Sequence, residues 1–139
     1  MSVFGKTLTY KTQGNTDIID ITPDVIQIVE EAGIQDGILL VYSPGSTVSI
    51  TTIEYEPGLI EDIKEALDQI APQNKEYQHN KRWHDGNGHS HIRASILGQD
   101  ATFPISDTRV QLGTWQQIIL IDLDVKPRSR NVIIKIVGD

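Results

Sequence analysis

The sequence GILLVY at residues 37–42 is a continuous apolar run, bounded by a glycine at its start and by the turn sequence SPGS at its end. Short runs of this kind, rich in strand-forming residues and closed by Gly and Pro, are typical of fully buried strands. We therefore interpret residues 37–42 as the central strand of a sheet. The rest of the chain must supply the neighbouring strands and the helices that cover them.

Two main helices are predicted, one on each side of this strand in the sequence. Thr22-Pro23-Asp24 offers an N-cap, a proline at the first helical position and an acidic residue, and apolar positions at helical spacing continue to Gly33. Residues 59–70 place apolar and charged side chains on opposite stripes, and Pro72 ends that pattern. Both segments therefore predict amphipathic helices with one buried face.

The other patterned segments are predicted as antiparallel strands. Residues 3–12 alternate, and a meander is indicated by residues 101–105, 108–112, 114–125 and 131–137. In the third of these segments we expect Trp115 to pack in the core and Gln116 to face water. Residues 91–98 favour a short helix closed by Gly98, with a strand as the alternative. The whole predicts an α+β fold, a mostly antiparallel sheet or sandwich with two main helices, as a single domain over residues 1–139.

Composition excludes several classes of protein. A chain of 139 residues with 38% hydrophobic and 22% charged residues and no long apolar run is typical of a globular domain and unlike a disordered or membrane-spanning chain. The first residues show no secretory signal, so we expect a cytoplasmic protein. With no cysteine, a disulfide scaffold, a thiol nucleophile and thiolate-ligated metals are excluded. Any metal site must use His, Asp, Glu and water.

The charge balance argues against a nucleic-acid partner. The chain has 12 Lys and Arg against 19 Asp and Glu, a formal net charge of −7, which opposes binding to a polyanion. Local basic positions near residues 81–82 and 126–130 could still hold one small anion.

All four histidines lie between residues 79 and 91, in a polar stretch that we interpret as part of a long functional loop over residues 73–91. His89 and His91 are two residues apart, so in an extended segment both imidazoles share one face and could chelate one cation. A third ligand would come from elsewhere, and Asp85 is one candidate to complete the site or orient a histidine. The alternative is a polar loop whose exposed histidines bind no metal.

Two acidic residues provide a further candidate pair. Residues 47–56 are β-branched and polar-interleaved, which predicts a strand that carries Glu54 and Glu56 to the same side of its far end. Such a pair could act as general acid and base, or it could be two exposed acids on an edge strand. Arg128 and Arg130, which follow Pro127, could bind a phosphate group, or they could only make a hairpin more soluble.

A set of motifs spans most of the chain: His79, NGHSHIRASILG at 87–98, LGTWQQ at 112–117, PRSR at 127–130 and VGD at 137–139. On these motifs the chain resembles the YjbQ-like family, also described as secondary thiamine-phosphate synthase enzymes. The resemblance implies a compact α+β domain assembled as a homotrimer, with a cleft near the subunit contacts and a histidine cluster that binds a divalent metal, zinc being the ion we expect. It also implies a weak activity that joins a pyrimidine pyrophosphate to a thiazole phosphate.

The resemblance also carries residue roles to this chain. His79 and His91 match the family's typical histidines, and Glu54 and Asp62 match its acidic pair. Where many members have a histidine this chain has Gly45, and we expect His89 to substitute for it. The candidate residues are Glu54, Asp62, Asn87 and His91 for catalysis, Arg93, Gln116 and Arg128 for cofactor and phosphate binding, and His79, His89 and His91 for metal.

Three functions remain open on the sequence. The first is a metal-dependent transferase of the thiamine-phosphate synthase type that acts on a small phosphorylated substrate. The second is a non-catalytic trimer that binds a metal or a small ligand. The third is a metal-assisted hydrolase of a small phosphorylated molecule, which would use the same histidines with water as the nucleophile.

Overall fold

Eight strands and four helices make up the fold in the computed structural model, which describes residues 1–139. The strands are β1 Ser2–Lys11, β2 Asp17–Asp20, β3 Gly37–Tyr42, β4 Val48–Ile53, β5 Asp100–Ser106, β6 Arg109–Val110, β7 Gln117–Asp122 and β8 Ser129–Gly138. The helices are α1 Thr22–Ala32, α2 Pro57–Ile70, α3 Gln78–Trp83 and α4 Gly88–Leu97. None of these helices has both the length and the apolar composition to cross a membrane.

The strands form two antiparallel sheets. The larger has five strands in the order β1-β8-β3-β5-β6, and the smaller has three in the order β2-β7-β4. Strand β3 lies between β8 and β5, with Leu39 opposite Ile136 on one side and Phe103 on the other. The predicted central strand and the predicted α+β class with mostly antiparallel strands are therefore confirmed.

The main core lies between the two sheets and is closed by α1. Alternate side chains of β3 and β8 point inward, where they meet side chains of β4, β7 and the buried stripe of α1. Its fully buried members include Leu39, Val41, Ile50, Ile118, Leu120, Ile134, Ile136, Val25 and Val29. Each such side chain contributes roughly 1.5–3 kcal/mol relative to an exposed position.

A second core covers the other face of the small sheet. Ile119 and Ile121 of β7 pack there with Leu67 of α2 and Ala94 of α4. Strand β7 is therefore buried on both faces, which explains why its sequence is a continuous apolar run instead of an alternation. The layers are, in order, the large sheet, the small sheet, and the pair α2 and α4.

Both predicted main helices are confirmed, but the residues at their starts act differently from the expectation. Thr22 does not cap α1; its hydroxyl accepts a hydrogen bond of 2.8 Å from the backbone N–H of Ile118 and so joins the helix to β7. Strand β4 ends at Ile53, and Glu56 caps α2 by accepting the N–H groups of Gly58 and Leu59. The predicted pairing of Glu54 and Glu56 at the end of a strand is therefore wrong.

Two other predictions are also wrong. Residues 73–91 are not one long loop, because they contain α3 and the start of α4. The C-terminal strands are not a meander, because β7 lies in the small sheet while β5, β6 and β8 lie in the large one. In the connection before β7, Trp115 is 71% exposed and does not pack in the core.

We expect Ile28→Ala to lower the free energy of unfolding by about 2–5 kcal/mol, because Ile28 is only 2% exposed and its loss leaves a cavity in the main core. Ile26→Ala is the matched control, since Ile26 lies on the same helix and is 39% exposed. Urea denaturation of the two variants measures both effects. Equal losses in the two variants would contradict the assignment of the buried face of α1.

Candidate functional site

A polar cleft of about 400 Å³ opens where the loop after β3, the start of α4 and the loop after β7 meet. No hydrophobic residue lines it. Its walls include Ser46, Thr47, Asp85, Asn87, His91 and Asp124, together with Arg128 and Arg130 from the far side. A smaller hollow of about 200 Å³ between α1 and β6 holds no histidine. The titratable side chains that could do chemistry therefore converge on the first cleft.

The floor of the cleft is a buried ion pair between the two sheets. Arg130 of β8 donates two hydrogen bonds of 2.9 Å to the two carboxylate oxygens of Asp122 at the end of β7. The same guanidinium donates to the Thr47 hydroxyl at 2.7 Å, and the Thr12 hydroxyl donates to Asp122. Removing one member of such a pair leaves an uncompensated buried charge, which costs about 3–5 kcal/mol.

The loop at residues 123–128 is held in place by hydrogen bonds from its backbone N–H groups to side-chain oxygens and to one backbone carbonyl of another loop. Every backbone N–H that it has is bonded: Leu123 to the Thr47 carbonyl, Asp124 to Asp122 Oδ1, Val125 to Asn87 Oδ1, Lys126 to Asp124 Oδ1 and Arg128 to Thr12 Oγ1. Asn87 precedes α4, so its amide oxygen fixes the start of that helix to this loop. The cleft wall is therefore rigid without regular secondary structure.

Asp124 is a carboxylate in this wall that is ionised at neutral pH. Burial alone would favour its neutral form, but the Lys126 N–H and the Asn87, Thr47 and Arg128 side chains outweigh that effect and lower its pKa to about 2. The Thr47 hydroxyl donates to it at 3.0 Å, and Arg128 Nη2 lies 3.0 Å from its Oδ2. Asp124 thus holds the half-exposed Arg128 guanidinium at the mouth of the cleft.

His79 and His91 form a close pair beside the cleft. Their ring centroids are 4.3 Å apart with the planes tilted by 41°, because α3 packs against the first turn of α4. Asp85 lies 3.4 Å from His79 Nδ1, but not in hydrogen-bond geometry, so this buried nitrogen has no hydrogen-bond partner. Burial lowers the pKa of His91, and His79 lowers it further against the opposing effect of Asp85 and Asp124. His91 is therefore neutral at physiological pH.

His89 does not join this pair. The segment is helical, not extended, and two residues on a helix are rotated by about 200° from each other. His89 is buried away from the cleft, its Nδ1 has no partner, and burial lowers its pKa, with Arg93 adding to the effect. The prediction that His89 and His91 share one face is therefore wrong.

The residues of a single chain do not fit a three-ligand metal site. No group of three or more His, Asp or Glu side chains is disposed to hold an ion. Gly45, where the resemblance implies a histidine in many relatives, has a φ of +153°, and a Cβ there would lie 2.9 Å from both Arg130 Nη1 and Val48 Cγ1. The zinc ion stays a prediction that requires ligands from outside one chain.

The other predicted site residues are divided by the structure. Asn87, His91 and Arg128 line the cleft, whereas Glu54 and Asp62 are exposed and do not. Arg93 is buried and donates to the Ala71 carbonyl at 3.0 Å, so it holds the end of α2.

Gln116 lies outside the cleft, whereas two aspartates that the sequence analysis missed belong to it. The Gln116 side chain bonds to Gly113 and Thr52, away from the cleft. Asp122 and Asp124 line or support the cleft and were not singled out from the sequence. The available signal was their position inside the apolar run IILIDLDV at residues 118–125, where an unpaired carboxylate would be costly.

Comparison with known proteins identifies the family. The model of the family described as "UPF0047 protein YjbQ-like" matches residues 6–139, and the chain belongs to that family. A UPF0047 protein of Archaeoglobus fulgidus is 40% identical over 128 residues, covering 92% of this chain and 97% of that protein.

Solved structures agree with the fold. A YbjQ-like protein of unknown function from Sulfolobus solfataricus P2 superposes with a TM-score of 0.94 at 34% identity, covering 99% of both chains. A hypothetical protein from Aeropyrum pernix K1 gives 0.91 at 32% identity, covering 98% of this chain and 99% of the other. The chain is therefore similar to these proteins over its whole length.

The Asp124 carboxylate predicts a specific acid dependence of stability. Its folded pKa of about 2 lies below the ordinary 3.8, so its stabilising contribution is complete above pH 4 and is lost as the pH falls toward 2. That contribution is about 2 kcal/mol. Urea denaturation from pH 5 to pH 2 should show a shallower loss of stability in Asp124→Asn than in the wild type. An unchanged slope would contradict the account, and Asp100→Asn, at an exposed carboxylate, is the control.

Proposed function

We propose that the cleft is the catalytic site of an enzyme that acts on a small phosphorylated substrate. The observation that carries this proposal is the neutral His91, paired with His79, in the same polar cleft as the half-exposed Arg128. A neutral imidazole can accept a proton from a reacting group, and a guanidinium can neutralise phosphate oxygens. Both groups are held by fixed elements, which favours orientation of a substrate between them.

The finer proposal is thiamine-phosphate synthesis. In that reaction the thiazole nitrogen lone pair forms a bond to the methylene carbon of the pyrimidine, and the bond from that carbon to the pyrophosphate oxygen breaks. Pyrophosphate departs with the bonding electrons, so the charge that develops must be stabilised. Arg128 would provide that stabilisation, with the side-chain NH2 of Asn87 and the ring N–H of neutral His91 as hydrogen-bond donors in the same cleft.

Hydrolysis of a small phosphorylated molecule is the second candidate. The same neutral His91 could accept a proton from an attacking water, which is the observation that favours this reaction. The products distinguish the two reactions, because hydrolysis releases phosphate or pyrophosphate without joining two rings. Binding of either substrate without turnover would favour the third possibility, a non-catalytic ligand-binding protein.

We also propose that the protein is a cytoplasmic homotrimer. Assembly would add ligands for a divalent metal to the unpartnered Nδ1 of His79, which leaves His91 free as the proton acceptor. The outer face of the large sheet supports self-association, because Val3, Val137 and Ile38 lie side by side across three strands and are all exposed. Trp115, in the connection before β7, is a further exposed apolar side chain. Native mass spectrometry of the untagged protein measures both the number of chains and any bound ion.

We expect His91→Asn to lower kcat for hydrolysis of the pyrimidine pyrophosphate or the thiazole phosphate by about 10²–10⁴-fold, the usual contribution of a general base. In the coupling reaction the attacking thiazole nitrogen carries no proton to remove, so a smaller loss of kcat is expected there. In the wild type, kcat plotted against pH should fall on the acid side with an inflection below pH 6.5, the ordinary pKa of histidine, because burial lowers the pKa of His91.

His84→Asn is the matched control for this prediction. His84 is exposed in the same region and has a φ of 53°, a conformation that Asn tolerates. This variant should keep wild-type turnover. Equal turnover in His91→Asn and the wild type would remove His91 from the chemistry, and no turnover of any of these substrates by the wild type would count against the enzyme proposal.

A further inference from the structure

A second cleft, of about 390 Å³, lies beside the first and shares Arg128 and Ser129 with it. Its remaining walls are Lys11, Thr12, Gln13 and Pro127. No carboxylate lines the second cleft, although the chain as a whole carries a net charge of −7.

The positive charge in this second cleft is partly uncompensated. Lys11 is exposed and makes no ion pair, while Arg128 is held through one nitrogen by Asp124 and is 47% exposed. The acidic side chain nearest in sequence, Asp17, already accepts the backbone N–H of Gln13 at 2.9 Å. An anion that enters this space would therefore meet two cationic groups with free hydrogen-bond donors.

Strand pairing fixes the spacing of these groups. Lys11 is directly opposite Ser129 in the antiparallel pair of β1 and β8, so their side chains lie on the same face about 5 Å apart at Cβ. The end of this ladder is closed by the Thr12 N–H, which donates to the Arg128 carbonyl at 2.8 Å, and by the Arg128 N–H, which donates to the Thr12 hydroxyl at 3.1 Å. The Ser129 hydroxyl and the Gln13 amide form no side-chain hydrogen bond within the protein and remain available.

We propose that this second cleft binds a phosphate group of the substrate that takes no part in the reaction, as an anchoring subsite separate from the histidines and from the departing pyrophosphate. The assignment of the bound group to a substrate rests on the proposed function, whereas anion binding itself does not. Lys11, Arg128 and Ser129 donate to the phosphate oxygens, and the organic part of the molecule extends past Arg128 toward His91. The substrate class is therefore a small organic phosphate whose anionic group is anchored apart from its reacting centre.

This subsite can be tested by titrating the full-length protein with inorganic phosphate. Calorimetry measures the affinity, and amide chemical shifts in TROSY spectra locate the bound ion. We expect the largest shifts at residues 11–13, 128 and 129. Lys11→Gln should weaken binding about tenfold, since it removes one charge-assisted contact. Lys135→Gln is the matched control, because Lys135 is an exposed lysine of β8 with no ion pair, outside both clefts, and it should bind like the wild type.

Three results would overturn the proposal: no binding of inorganic phosphate by the wild type, equal affinities of Lys11→Gln and Lys135→Gln, or shifts centred on His79, Asp85 and His91. Enzyme kinetics distinguishes failure of the anchoring subsite from failure of the proposed catalytic function. In an active enzyme, Lys11→Gln should raise KM about tenfold with kcat nearly unchanged. Phosphate binding at Lys11 in a protein without turnover would support the subsite and contradict the catalytic proposal.

Discussion

The buried pair of Arg130 and Asp122 is the interaction on which the cleft depends. It connects β8 of the large sheet to β7 of the small one. The Thr12 hydroxyl, just after β1, donates to Asp122, and the Thr47 hydroxyl, just before β4, accepts from Arg130. A buried ion pair is often no more stabilising than well-packed apolar residues. Its value here is positional, because it fixes the ends of four strands around one polar space.

The chemistry of the site follows from that fixed geometry. Because Asp122, Asp124 and Asn87 accept the backbone N–H groups of the loop after β7, the loop presents Arg128 to solvent at a constant place. The ionised Asp124 holds Arg128 on one side, and the packing of α3 on α4 brings the neutral His91 to the other. One cleft thus combines an imidazole with a guanidinium, the two groups on which the proposed reaction of a small phosphorylated molecule rests.

Local patterns in the sequence predicted the fold class, β3 and both main helices, because periodicity reports which face of an element is buried. The division of strands between two sheets depends on pairing between distant residues, so the meander prediction was wrong for β7. The histidine cluster was half right: tertiary packing brings His79 and His91 together, whereas the helical twist of α4 turns His89 into the interior. Trp115 and Gln116 could not be placed, since both lie in an irregular connection.

Hydrogen exchange of the variant Arg130→Lys tests the central claim most directly, because lysine keeps the positive charge but cannot make the two-pronged contact with Asp122. The account predicts faster exchange of the backbone N–H groups of Asp124, Lys126 and Arg128, with little change at Leu39 and Val41 in the middle of the large sheet. Unchanged exchange in the loop, or an equal acceleration throughout the sheets, would contradict the claim that this pair organises the cleft.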